Sequence, residues 1–580
     1  MNGYSPIERD ISIMNVTAVS NQKSIKSSAE PTIRIIPLGG LGEFGLHMML
    51  VESSEDVIAV DCGFMFPDEE MLGINYAIPD FSYVLGKRNA LRGVFLTHCH
   101  YDHIGALPYL LREVSVPVYG TPLTLGILAR FLREHKLLGE ADLRVIQPGD
   151  KTEVGSFRVE SIQVTHSVAD GIGFAIETPV GTVVHTGDFK LDENPIDGKL
   201  SDYRRFAELG DRGVLCLLSD STNVERPGHT PSESEIGRAL VGLFKGAPRR
   251  IIISTFATHI HRIQQIMDVA AHLGRKVALL GKSMVNNVRI AQELGYLRVP
   301  EATLVSMEDL TGLPPYRQVI ISTGSQAEPN SAIALMAAKE HKAVQVEEED
   351  LVILSARVIP GNERHVAKVI SQLFRLGANV LYEQIDFVHV SGHAFQEDLK
   401  LMLNLVRPAY FIPVHGEYRH LVHHARLAES VGIPREHIFT IEDGIGVELT
   451  KASARVTGRF PAGRVFVDGK GVGDVGAVVL RDRQLLAEDG MVVVALTVDK
   501  TTGELLAGPE IASRGFVYVK ESEELLEEVK RAIRLALAER DPAVAVDREL
   551  LGSLVRSSVR RFINQRFQRK PIVLPVVLEV

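Results

Sequence analysis

The stretch THCHYDHI at residues 97–104 constrains this chain more than any other. It follows the apolar run GVFL and gathers His98, His100, Asp102 and His103 at a strand end. Three imidazoles and a carboxylate are costly to bury unless they share a partner. His98 and His100 point the same way only if the segment is extended or looped. Asp102 and His103 are adjacent, so a turn can aim them at a second point. One short loop can thus serve two metal positions. Neutral imidazole suits Zn²⁺, and carboxylate oxygen suits bridging or a harder ion such as Mn²⁺ or Mg²⁺.

Further ligands have to come from far away in sequence. Cys62, Cys99 and Cys216 are scattered and form no CxxC pair, so histidine and carboxylate carry the chemistry. The same cysteine usage predicts a reducing, cytoplasmic setting. The runs VTHS, HTGDFK and PVHGEY supply His166, Asp188 and His415, each after an apolar strand. One ion then falls to His98, His100 and His166, and a second to Asp102, His103 and His415, with Asp188 shared. Asp61 in AVDCG reads as an orienting carboxylate, and His185 in HTGD as a core or outer histidine. Two metals about 3.5–4 Å apart polarise a phosphoryl oxygen and make water nucleophilic at neutral pH. That suits phosphodiester hydrolysis better than redox chemistry.

His415 dictates the topology. Residues 32–222 read as short strands (TIRIIPL, DVIAVD, GVFLTH, VPVYG, FRVESIQVTH, GFAIET, TVVHTGD, GVLCLLSD), with helices at 103–114 and 122–138. Within 223–360, RRIIISTFA, KVALLG, YRQVIISTGS and DLVILSA alternate with helical stretches, the rhythm of a parallel sheet. Short strands return over 361–464, where VHVSGH and AYFIPVHGEY end in histidines. If His415 shares a site with His98, residues 223–360 are a domain inserted into the first.

Residues 465–580 open with the Gly-rich VDGKGVGDVG. Strands at AVVLRD and MVVVALTVD follow, then helices near 522–540 and 547–567 and a closing strand in PIVLPVVLEV. This predicts a small α+β domain. The run at 548–570 holds six Arg and one Lys, and its apolar spacing reads as a helix packed in its domain with an exposed basic face. Residues 1–31 are polar, carry no secretory pattern and read as a flexible tail. No apolar run approaches the roughly 20 residues of a membrane span, so no membrane partner is expected. The net charge of −10 argues mildly against nucleic acid, but such binding depends on local basic surface.

HCHYDH, His166, Asp188 and a distant His resemble the metallo-β-lactamase superfamily. SDST with Asp220, HVSGH with His393 and PVHGEY with His415 look like motifs A, B and C of the β-CASP nucleases. IIPLGGLGEFG, FPDEEMLGINYAIPD, STGSQAEP, GPEIASRGFVY and RKPIVLPVVLEV resemble the bacterial ribonuclease J family, from about residue 32 to the C-terminus. The resemblance implies an α/β chain: a metallo-β-lactamase αββα sandwich, an inserted β-CASP parallel α/β domain and a small C-terminal α+β domain. It implies the seven ligands His98, His100, Asp102, His103, His166, Asp188 and His415 around two divalent ions, Zn²⁺ ahead of Mn²⁺ or Mg²⁺.

By the same resemblance, Asp102, Asp220 and His393 are the catalytic group. His393 contacts the scissile phosphate or protonates the leaving 3′-oxygen, and Asp220 holds it. His389, Val390, Ser391, Gly392 and His393 match a substrate loop. Ala257, Thr258 and His259 match another, with His261 and Arg262 as neighbouring phosphate contacts, and Ser325 and Gln326 as part of the same pocket. A structural Ca²⁺ is implied at Gly73, Asn75 and Asp468, although Asn75 stands where family members commonly carry Asp. Cys99 and Tyr101 replace the usual Gly and acidic residue and read as spacers between ligands. Ala327 stands where Gly is usual, and Thr258-His259 replaces a more usual Ser-Asn or Ser-Val pair.

The implied activity is 5′→3′ exonucleolytic cleavage of 5′-monophosphate RNA with additional endonuclease action, in RNA maturation and mRNA decay. The implied assembly is a homodimer or homotetramer, with other RNA-decay proteins as partners. The competing classes are a DNA nuclease, a metallohydrolase of small thioesters or lactones, and a catalytically silent partner subunit. An insertion that clamps a polymer favours a nuclease. A complete ligand set speaks against the silent subunit.

Overall fold

The computed structural model describes residues 30–68, 70–328, 330–359, 361–516, 523–540 and 547–580. The tail expected over 1–31 lies outside these, apart from its last two residues. Two sheets face each other. The first orders its strands Ala454–Arg459, Ile445–Leu449, Ile33–Gly39, Met48–Glu52, Val57–Val60, Leu91–Phe95, Val118–Gly120 and Leu143–Val145. The second runs Tyr410–Val414, Cys216–Asp220, Gly181–His185, Ile172–Thr178, Phe157–Gln163 and Lys151–Val154.

Branched and aromatic side chains from alternate strand positions fill the space between the sheets. Ile35, Val51, Ile58 and Phe95 meet Phe157, Phe174, Ile176 and Leu218 there. Helices Leu107–Glu113 and Pro122–Glu134 cover the outer face of the first sheet. Tyr203–Arg212, Gln396–Val406 and Tyr418–Ser430 cover the second. The result is the expected αββα sandwich.

The chain leaves the second sheet at Asp220 and returns to it at Tyr410, after the covering helix Gln396–Val406. The two strands involved are parallel neighbours, with Cys216 opposite Tyr410 and Asp220 opposite Val414. Between them lies a second sheet system, all parallel, ordered Lys276–Leu280, Gln318–Ser322, Ile251–Ser254, Leu351–Leu354 and Asn379–Tyr382. Its three central strands are buried on both faces, which explains runs such as IIIS and LVIL without polar alternation.

Four boundaries differ from the sequence reading. The insertion does not end at 360: helix Glu363–Arg375 and the strand Asn379–Tyr382 belong to it. That strand, NVLY, is a half-exposed edge and gives a weak apolar signal. VHVSGH is a loop rather than a strand. AVVLRD, whose valines suggested a strand, opens the helix Ala477–Glu488, because the helix formers RQLLAE follow it. The strand Arg464–Asp468 pairs with Tyr76–Pro79, so the Gly-rich hairpin begins on the sandwich side of the expected boundary at 465.

In the C-terminal domain, Met491–Val498 lies between antiparallel Leu505–Arg514 and parallel Ile572–Glu579. Helices Glu523–Ala538 and Arg548–Phe567 pack on this sheet through Val529, Ile533, Val555, Val559 and Ile563. Arg556, Arg560 and Arg561 face outward, as the sequence pattern predicts. The helices expected near 522–540 and 547–567 are therefore present where they are described, residue 522 lying outside. Among the described residues no helix is long and apolar enough to cross a membrane.

The turn before Ile445–Leu449 ties the Gly-rich start of the sandwich down. The Leu41 N–H donates to Asp443 Oδ1 at 3.0 Å, and Glu43 pairs with Arg464. Burial and the neighbouring Glu43 push the Asp443 carboxyl up to about 8. The folded chain thus holds a proton that the unfolded chain releases near the ordinary carboxylate value. The associated stability is present at acid pH and is lost as pH rises through about 8. Asp443→Asn keeps the acceptor and removes the charge. Its gain in Tm over the wild type should grow between pH 5 and pH 8 in thermal unfolding, and a gain independent of pH would refute this account.

Candidate metal centre

The seven ligands expected from the sequence, and the orienting Asp61, sit beyond the C-terminal ends of strands. Asp61 follows Val57–Val60, His98 to His103 follow Leu91–Phe95, and His166 follows Phe157–Gln163. Asp188 follows Gly181–His185, and His415 follows Tyr410–Val414. The short helix Tyr101–Ile104 aims Asp102 and His103. Asp61 and His415 adopt left-handed backbone conformations, φ 62° and 59°. Side chains other than glycine rarely do so, and such strain persists only where the surroundings over-determine the geometry.

The seven residues converge. His98 Nε2 lies 2.9 Å from His100 Nδ1, which lies 3.3 Å from His166 Nε2. Asp188 Oδ2 stands 3.7 Å from His98 Nε2, 3.9 Å from His166 Nε2, 3.3 Å from His103 Nε2 and 3.1 Å from His415 Nε2. Asp102 Oδ2 is 3.7 Å from His103 Nε2 on the more open side. One carboxylate oxygen is therefore shared between two sets of donors.

The far nitrogens of the rings are held from outside. Asp61 Oδ2 lies 2.8 Å from His103 Nδ1 and also accepts from the Thr97 hydroxyl. His166 Nδ1 is 2.8 Å from the Gly392 carbonyl, and His415 Nδ1 is 2.7 Å from Thr222 Oγ1. Such partners fix the tautomer that leaves the inward nitrogen as a lone pair. Gly392 is needed for this approach, because a Cβ there would stand 2.8 Å from the His166 ring. His185 accepts the Gly187 N–H on Nδ1 at 3.0 Å and acts as a core histidine.

Electrostatics sort these groups. Burial keeps His98 and His166 well below the ordinary imidazole value and brings His100 to about 3. Burial also disfavours charge on His415, but the adjacent Asp188 carboxylate outweighs it and raises that ring to about 9. His103 is raised for the same reason, by Asp188 with Asp102 and Asp61. Asp188 is buried, yet His415, His103 and His98 hold its carboxyl well below the usual range. The pocket thus concentrates donors around a permanent negative charge and is set up to hold cations.

The donor set fits metal ions. The buried His103 Nε2 and His415 Nε2 have no aligned hydrogen bond. Orphaned buried nitrogens of this kind are uncommon and call for a partner. Among the described residues three groups have ligand atoms within 4.8 Å of one another: His98, His100, His166 and Asp188; His47, Asp102, His103 and His415; and Asp188, His393 and His415. The second group contains His47, which sequence reasoning missed. His47 precedes the apolar strand Met48–Glu52 with no ligand at a telling spacing, and Gly40, whose missing Cβ makes room for its ring, was the one local hint.

The insertion delivers the remaining residues. His393 Nδ1 lies 2.7 Å from Asp220 Oδ2, within 4.9 and 5.2 Å ring-centroid separation of His166 and His415. Burial works against the Asp220 charge, and the His393 imidazole overcomes it, so that carboxyl sits low. Val390, Ser391 and Gly392 are buried behind His393, and His389 is half-buried. Asn223, also missed, donates to Ser391 Oγ at 2.7 Å and to the His393 carbonyl at 3.1 Å, while Arg357 bonds its side-chain oxygen. Gln326 holds Arg357 O and Ile359 N, so Ser325 and Gln326 sit buried in a loop linked to His393 through Arg357 and Asn223.

Ala257 is partly buried, and Thr258 and His259 are buried, all at the mouth of the helix Ile260–His272. His261 Nε2 lies 3.5 Å from Asp197. Two expectations need correction. Arg262 is no phosphate contact: it is fully buried, donates to both Glu233 oxygens at 2.6 and 2.8 Å, and bonds Ser355 and the Val388 carbonyl. The calcium position is taken by a protein cation. Arg483 pairs with Asp468 and donates to the Leu72 carbonyl, and a Cβ on Gly73 would meet its guanidinium at 2.7 Å. Asn75 Oδ1 is itself occupied by the Gly469 N–H. Arg262→Met should cost about 3–5 kcal/mol in chemical unfolding by stranding Glu233. A stable variant with weakened RNA binding would instead restore the phosphate role.

Comparison with known proteins agrees with this architecture. Residues 41–232 match the metallo-beta-lactamase superfamily, 248–373 the ribonuclease J beta-CASP domain, 377–440 the Zn-dependent metallo-hydrolase RNA specificity domain and 478–580 the ribonuclease J C-terminal domain. The chain is 41% identical to Ribonuclease J2 of Bacillus subtilis (strain 168) over 556 residues, 96% of this chain and 100% of that protein. It is 42% identical to Ribonuclease J of Thermus thermophilus over 573 residues, 96% of this chain and 97% of the other. A crystal structure of a protein of unknown function from Enterococcus faecalis V583 shares the fold, with a TM-score of 0.52 at 17% identity, covering 73% of this chain and all of that one. With its sandwich, insertion and C-terminal domain in this order, the chain belongs to the ribonuclease J family.

Proposed function

We propose that this protein is a ribonuclease that uses two divalent ions, Zn²⁺ foremost, to hydrolyse RNA phosphodiesters. The observation that carries the reading is one carboxylate oxygen, Asp188 Oδ2, flanked by His98 and His166 on one side and His103 and His415 on the other. His98, His100 and His166 would hold the first ion, Asp102, His103 and His415 the second, and Asp188 both. When bound, such ions polarise a phosphoryl oxygen and acidify water.

The chain's own groups supply the rest. Asp220 accepts the Nδ1 proton of His393 and turns the opposite ring nitrogen to the substrate. From there a protonated imidazole can donate to the leaving 3′-oxygen, with Asp220 stabilising its charge. The buried ligand pocket excludes bulk water, which strengthens each of these interactions. The root of the insertion is bonded to the loop that carries His393, and an inserted domain at this place suits a polymer better than a small ester.

We further propose 5′→3′ exonuclease action on 5′-monophosphate ends, with some endonuclease action. Small residues in VSGHA and STGSQ let backbone N–H groups approach a terminal phosphate. The two loops are joined through Arg357 and Asn223 and so move as one wall.

Digestion of one RNA carrying a labelled 5′ monophosphate or triphosphate tests this, with DNA of the same sequence alongside. The metal-loaded protein should release mononucleotides from the monophosphate RNA alone, and His98→Ala should abolish cleavage. Asp220→Asn should retain metal and lose about 10²–10⁴-fold in rate. Inertness toward both RNAs, or equal cleavage of the DNA, would sink the proposal.

A further inference from the structure

His47 is a histidine that the two-ion reading does not use. It is buried at 7% exposure, and its Nε2 has no hydrogen-bond partner. Its position is built rather than incidental. The His47 N–H donates to the Asp102 carbonyl at 3.1 Å, and the His47 carbonyl accepts the Gly63 N–H at 3.0 Å, so the backbone is clamped to the ligand loop. Gly40 adopts φ 92°, and a Cβ there would lie 2.1 Å from His47 Nδ1. The Gly-rich turn therefore leaves a slot shaped for this ring.

The ring faces the second ion's ligands. Its centroid is 4.5 Å from that of His103 and 4.0 Å from that of His415, with planes tilted by 20° and 10°. His47 Nε2 is 3.8 Å from Asp102 Oδ2. The ligand atoms of His47, Asp102, His103 and His415 all lie within 4.8 Å of one another. A buried imidazole nitrogen left without a hydrogen-bond partner offers its lone pair to a cation. Among the described residues no carboxylate or carbonyl hydrogen-bonds that nitrogen.

We infer that His47 Nε2 is an additional ligand of the second ion, beside Asp102, His103 and His415. This rests on the two-ion reading above. The second site would then hold three imidazoles, as the first does, with Asp188 shared. A nitrogen-richer site binds Zn²⁺ or Co²⁺ in preference to Mn²⁺ or Mg²⁺. His47 thus bears on which metal the protein selects.

The test uses the full chain, stripped of metal and titrated with Zn²⁺ or Co²⁺ alone. Wild type, His47→Ala and His47→Asn are compared after their metal-free melting temperatures are shown to agree. Wild type should take up two ions per chain. Both variants should keep the first and bind the second at least tenfold more weakly, with altered visible absorption of the second Co²⁺ equivalent only. The preference for Zn²⁺ over Mn²⁺ at that position should shrink in parallel. If the variants bind two ions with wild-type affinity, or bind the second more weakly with an unchanged spectrum, His47 lies outside the coordination sphere and the inference is overturned. A wild type that takes up a single ion overturns the two-ion reading and the His47 assignment together.

Discussion

The parallel pairing of Cys216–Asp220 with Tyr410–Val414 is the interaction on which the rest of the molecule depends. Five residue pairs in register bring back a chain that has left the sandwich to build another sheet. Because Asp220 faces Val414, the next residue, His415, emerges beside Asp220 and above Asp188. A shift of one residue would turn His415 to the opposite face. The register thus completes the donor set, and the apolar pattern CLLSD against YFIPV enforces it between two buried layers.

A second constraint is electrostatic. A lone buried carboxylate would be expensive, and so would a cluster of buried imidazoles. Asp188 and its histidines relieve one another, yet incompletely, since two inward nitrogens of His103 and His415 stay without an aligned partner. The strain at Asp61 and His415 and the outward bonds to Gly392 and Thr222 hold the donors in place against their own relaxation. Stability elsewhere, in the apolar layers of the sandwich, sustains a pocket that is locally unfavourable.

Much of this was legible in the sequence, for identifiable reasons. His98, His100, Asp102 and His103 announce themselves by spacing, and His166, Asp188 and His415 by ending apolar strands. The same rule failed for Arg262. A polar residue near a functional loop looks like a ligand contact, while the partner that buries it, Glu233, lies 29 residues earlier. His47 escaped because nothing local marks it, and its partners arrive only through the fold. Asn75 and Asp468 were read through a resemblance, whereas Arg483, the residue that fills their gap, comes from the helix mistaken for a strand.

The loop carrying His393 is pinned from both sides. The Gly392 carbonyl holds His166, while Asn223 and Thr230 bind Ser391 and the His393 carbonyl at the root of the insertion. The segment is thus stitched to two domains. Its hydrogen bonds give the sandwich and the insertion one shared fixed point at His393. His393 therefore acts as a rivet: a change that shifts either domain is felt at this ring and, through Gly392, at His166.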